Sequence, residues 1–183
     1  MRTLNLQLVG TTPILLHHVS RHQFREQLAS RDGGKSIEEE AQEVMVRGDD
    51  GNPAVPVSWI WDALRVGCSR ITVEGKQVSF FQLQSVIHLP ATNISLMDTD
   101  NHVPEWSVYS SIQHASPGSK RSIAVVAPMF RDWMLTFRLT MEDHLTDDKL
   151  LQRIFVEAGK VGIGLFHPPK KQFGQFRFSY YVK

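Results

Sequence analysis

Polar and apolar positions along the chain follow two periods. Near the start, Leu4, Leu6 and Leu8 alternate with Asn5, Gln7 and Val9, the pattern of a strand with one leucine face turned inward. The clearest alternation sets Trp133, Leu135, Phe137 and Leu139 against Met134, Thr136, Arg138 and Thr140. Phe176, Phe178 and Tyr180 repeat that pattern in a last strand, and residues 123–126 (IAVV) read as a short buried one. The longer period appears twice. Behind Pro56 and Ser58, the spacing of Ile60, Ala63 and Leu64 predicts a helix with those residues inward. Leu150, Leu151, Ile154, Phe155 and Ala158 predict a second helix, with Thr146 as N-cap, Asp147 and Asp148 in the first turn and Gly159 as the stopping glycine. Ser36 with Glu39 forms a capping-box pattern that opens a short acidic helix through about Val46.

The connecting stretches are less regular. Residues 47–53 (RGDDGNP) predict a hairpin tip, and residues 71–89 read as paired strands with a turn at Glu74-Gly75. Residues 92–118, rich in Ser, Asn, Asp, Pro and Gly, read as a mobile excursion. Strand, helices, strands, strand, helix, strand is the order of a βαββαβ unit. The expected fold is α+β and ferredoxin-like: an antiparallel sheet with helices on one face, in one domain over residues 1–183 with insertions at about 17–55 and 92–118. Such a sheet leaves its second face open to a ligand or a partner.

Composition narrows the picture little. With 42% hydrophobic residues the chain carries enough for a core, and a net charge of +1 requires that any basic surface be local. Cys68, the one cysteine, follows an apolar helical run and reads as a small buried residue. No signal peptide is expected in the opening MRTLNLQLVG, and no run reaches membrane-spanning length. A reducing compartment follows as the expectation, most simply the cytoplasm.

The candidate chemistry gathers after the second helix. Gly162, Gly164 and Gly174 are interleaved with Lys160, His167, Lys170, Lys171 and Arg177. Glycines allow a backbone to approach a ligand and offer it bare N–H groups, while cations and aromatic rings suit phosphates and bases. Phe166 and Phe173, in the loop, are the expected stacking residues; Phe176, Phe178 and Tyr180 have a competing role in the core. A second cationic cluster, with His17, His18, Arg21, His22 and Arg25, follows the first strand. The glycines form neither a dinucleotide fingerprint nor a phosphate-binding P-loop, and His18 and His22 lack further ligands at metal spacing. No cofactor and no metal are therefore expected.

Two segments resemble CRISPR-associated RAMP proteins. Residues 52–65 (NPAVPVSWIWDALR) resemble the I-P-x-S-S-L-x-G-A-L-R segment that opens their first helix. Residues 158–164 (AGKVGIG), with 173–176 (FGQF), resemble their C-terminal glycine-rich loop between the second helix and the last strand. The chain is also similar to small phage and prophage proteins that share a P-L-L-M-H-like stretch, here residues 13–17, and an A-G-x-x-x-G-I-G-x-x-R-P-like stretch, with His167 in the arginine's place. The resemblance implies a RAMP-like ferredoxin fold and a preference for RNA or a nucleotide-like ligand. The expected function is binding of single-stranded RNA, or single-stranded DNA, through the glycine loop without catalysis. Sequestration of a small nucleotide signal, inhibition of a host defence protein and homo-oligomerisation stay open beside it. So does metal-independent RNA cleavage, with His17, His18 or His167 as the base.

Overall fold

A computed structural model describes residues 1–17, 36–90, 93–114, 122–142, 147–165 and 172–182. Its organising layer is a four-stranded antiparallel sheet made of β1 (Arg2–Gly10), β6 (Ile87–His88), β10 (Met134–Met141) and β11 (Phe176–Val182), in the order β11-β1-β10-β6. Two helices complete the unit: α2 (Val57–Ser69) between β1 and β6, and α4 (Asp148–Val161) between β10 and β11. Counting only these elements, the chain runs βαββαβ and the sheet is ordered last, first, third, second. That is the ferredoxin-like arrangement expected from the alternation.

The two periods explain which face the helices cover. Leu4, Leu6 and Leu8 of β1 stand level with Leu139, Phe137 and Leu135 of β10, and all six are buried. Ile60, Ala63, Leu64 and Cys68 of α2 and Leu151, Ile154, Phe155 and Ala158 of α4 close over them. Phe155 stacks on Phe178 of β11 with centroids 4.5 Å apart, so this strand's alternating aromatics are core residues.

A second sheet, β2-β9-β8, grows from one end of the first, with β2 at Ile14–Leu15, β8 at Ser107–His114 and β9 at Ser122–Phe130. The passages β1–β2 and β9–β10 turn at the same level, where the Gly10 amide donates to the Trp133 carbonyl (2.9 Å). Trp133 fills the corner: fully buried, its indole N–H donates to the Thr12 carbonyl (2.8 Å). Helix α1 (Ile37–Glu43) packs on β9 and β8, opened by the capping box read from Ser36 and Glu39, with both reciprocal bonds formed. Strand β3 (Ala54–Val55) pairs with β7 (Ile94–Ser95), and β4 (Thr72–Val73) with β5 (Lys76–Gln77) around Glu74 and Gly75, both at positive φ as a two-residue primed turn requires. The bridge between Arg47 and Pro53 bears out the tip expected there. Asp50 accepts from the Asn52 amide and the Ser95 hydroxyl, which holds its carboxyl below the ordinary value and ties the tip to β7.

Several expectations are corrected. Residues 80–86 form helix α3 (Phe80–Val86), not a strand; Ser79 caps it and Leu83 is buried on its inner side. The segment from Asn93 to His114, expected as a mobile excursion, carries β7 and β8, and β8 pairs with β9 over eight positions. The polar residues of a one-sided edge strand had the look of a loop. Helix α1 ends at Glu43 and not near Val46. Thr146 lies outside the described residues, and Asp147 caps α4 by accepting from the Lys149 amide (3.0 Å). Finally, α4 does not stop at Gly159. It continues to Val161 and ends at Gly162, with φ of 79°. A Cβ at Gly159 would collide with the Phe176 carbonyl, so this glycine marks the close approach of helix and strand.

Candidate nucleic-acid interface

The glycine loop is a locked piece of backbone. The amide of Gly162 donates to Ala158 O (2.9 Å), Ile163 to Gly174 O (3.0 Å), Leu165 to Leu15 O (3.1 Å), Gly174 to Pro13 O (2.7 Å) and Gln175 to the Thr12 hydroxyl (2.9 Å). These five N–H groups are spent inside the chain and are not offered to a ligand. The glycines are required by packing: a Cβ on Gly162 would lie 2.9 Å from the Phe173 carbonyl, and one on Gly164 2.8 Å from Leu15 O. Gly162 and Gly174 are buried, and all three glycines have positive φ. Through these bonds the end of α4 grips the turn between β1 and β2 and the chain entering β11.

Of the other residues expected at the site, four lie among the described residues. Lys160 is exposed but paired with Glu157 (2.6 Å). Phe173 is half-buried, edge-to-face with Tyr109 at 5.3 Å, and is therefore committed to the second sheet instead of standing free as a stacking platform. His17 is buried, at 8% exposure, out of reach of an RNA phosphodiester in solution. His18, Arg21, His22, Arg25, Phe166, His167, Lys170 and Lys171 lie outside the described residues. Arg177 remains. It is exposed, and it stands at the start of β11 on the side away from the helices.

That side of the four-stranded sheet is polar except at Val9 and Met134, which stand in register with Arg177. Three polar rows cross it in register: Thr136, Gln7 and Ser179; Arg138 and Asn5; and His88, Thr140 and Thr3. Arg138, Arg177, Thr136, Ser179, Thr3 and His88 are exposed, and Asn5, Gln7 and Thr140 half-buried. No Asp or Glu occurs in any of the four strands. Arg2, pointing to the helix side, pairs with Asp148, whereas Arg138 and Arg177 enter no ion pair among the described residues. Their backbones stand two strands and four residues apart, roughly 16 Å at ordinary strand spacing. The face thus offers two unpaired guanidinium groups across a field of amides and hydroxyls. Sequence reasoning singled out Arg177 but passed over Arg138 and His88. The signal was present in the alternation that put Arg138 on the polar side of β10, and in the absence of acids from that strand.

Two depressions are lined by described residues. One, of about 240 Å³, lies between α2 and the glycine loop, lined by Trp59, Asp62, Ala63, Val66 and residues 161–164. The other, of about 350 Å³, lies at the β9–β10 turn, where Asp98, Glu105 and Asp132 oppose an anion despite Arg131. No group of three or more metal-ligating side chains comes together among the described residues, and none of their helices is long and apolar enough to cross a membrane.

No family model matches the chain, and no curated protein matches it. Among solved structures, Cmr6 from Pyrococcus furiosus is similar over 98% of this chain and 98% of its own, with a TM-score of 0.47 and 11% identity.

Proposed function

We propose that this protein is a RAMP-like binder of single-stranded RNA that acts without cleaving it, and that the strand lies across the open face of the four-stranded sheet. The observation that carries the reading is the charge of that face: Arg138 and Arg177 unpaired, neutral donors and acceptors between them, and no carboxylate in the four strands. An extended polyanion gains from every such cation through counterion release, and neutral side chains supply hydrogen bonds to sugars and base edges. The glycine loop contributes as a scaffold. It fixes the chain on either side of the segment that carries Lys170 and Lys171, and it leads directly into Arg177. The two segments that resemble RAMP motifs support the reading: residues 52–65 run into the first core helix, and residues 158–164 span the end of the last helix and the turn after it.

Fluorescence anisotropy with a labelled 12-nucleotide RNA tests the reading. Arg138→Glu with Arg177→Glu is expected to weaken binding at least tenfold, and Lys170→Glu with Lys171→Glu to weaken it further, with circular dichroism unchanged. Full affinity in the Arg138/Arg177 double variant would remove the sheet face from the interface.

A further inference from the structure

We infer that the cleft between α2 and the glycine loop receives one unpaired guanine base of the bound strand, an inference that rests on the RNA-binding reading above. The lining selects the ligand. Ala63, Val66, Val161 and Ile163 make apolar walls, Gly162 and Gly164 add no side chains to the lining, and Trp59 stands half-buried beside them. The one charged group of the lining is the exposed carboxylate of Asp62, held by Arg65 one turn along α2. A phosphate finds no cation among these residues. A flat ring with apolar faces and hydrogen-bond donors on its edge finds an indole to stack on and a carboxylate to donate to.

Among the four RNA bases, only guanine presents two adjacent donors, N1–H and the N2 amino group, which match the two oxygens of a carboxylate in a charge-assisted pair. Uracil flanks its single N–H with carbonyls that a carboxylate repels. Adenine and cytosine set a ring-nitrogen acceptor beside their amino group. The cleft lies on the helix side of the sheet, near the end of β11 that carries Arg177, so the strand turns round that end to reach it. Ile163 lines it, and the Ile163 amide bonds to Gly174, three residues before Arg177.

Binding of an all-uridine 12-mer is compared with that of the same 12-mer carrying one central guanosine, adenosine or cytidine. The guanosine oligonucleotide is expected to bind about tenfold tighter than the others, the scale of one stacked and hydrogen-bonded base. Asp62→Asn and Asp62→Ala, at an exposed position, are expected to erase that preference while keeping the affinity for the all-uridine strand. Trp59→Phe keeps a stacking ring and should retain part of it. Equal affinities for the four oligonucleotides, or a guanosine preference that persists in both Asp62 variants, would overturn the inference and leave the RNA-binding reading standing. Failure of every oligonucleotide to bind would overturn both.

Discussion

Gly174 shows how far a single residue can be read. Its place in a glycine-rich run pointed to a ligand, but its φ of 68° and the overlap that any Cβ would make with the Ile163 carbonyl assign it to the packing of the loop. Gly174→Ala is expected to destabilise the protein by about 2 kcal/mol, the scale of overpacking at a position with positive φ, measured by urea denaturation. A change within 0.5 kcal/mol would mean that the loop yields. A glycine's residue type tells that backbone comes close to something; only coordinates tell whether that something is ligand or protein. Cys68 was legible from sequence, because a lone cysteine one turn beyond an apolar stripe has the core as its natural place. It is 1% exposed, and burial pushes its thiol up to about 11. At pH 8 an aromatic disulfide reagent is therefore expected to titrate no thiol in the native protein and one in guanidinium chloride. Rapid native labelling would show that α2 opens from the core.

At the scale of elements, strands with one buried face were the most legible. β1 and β10 alternate along most of their length because helices cover one side and water the other; only Val9 and Met134, at one end, break the pattern. β8 and α3 were misread for opposite reasons. As an edge strand with a largely polar composition, β8 lacked a contrast of faces, and only its eight-position pairing with β9 defines it. In α3, seven residues are too few to establish a helical period beside the neighbouring hairpin. The cap of α4 shows the limit on boundaries. Two consecutive acids follow Thr146, and the structure uses Asp147, whose carboxylate accepts from the Lys149 amide. Asp147→Ala is expected to cost about 1 kcal/mol in equilibrium unfolding, the typical value of a lost N-cap bond. Because α4 also anchors the glycine loop, the variant should expose Lys160 and its neighbours to faster amide exchange. A variant as stable as the parent would transfer the capping role to another residue.

Across the whole molecule, the ferredoxin-like order was readable because two long helical patterns and three clear alternations leave few ways to build one sheet. The site was less readable. The sequence drew notice to clustered glycines, lysines and histidines, features that are close together along the chain. The sheet face brings together residues 5, 138 and 177, from three strands, and no local pattern announces such a set. Its decisive property, the absence of carboxylates, appears only once the four strands are known to be neighbours. The central claim is that this face holds the backbone of a single-stranded nucleic acid, and the salt dependence of binding tests it most directly. With Arg138, Arg177, Lys170 and Lys171 each replacing one counterion, the logarithm of the association constant for a 12-nucleotide RNA should fall against the logarithm of salt with a slope of about −3. The slope should shrink to about −1.4 when Arg138 and Arg177 are replaced by neutral Gln. A slope left unchanged by that double replacement would contradict the account.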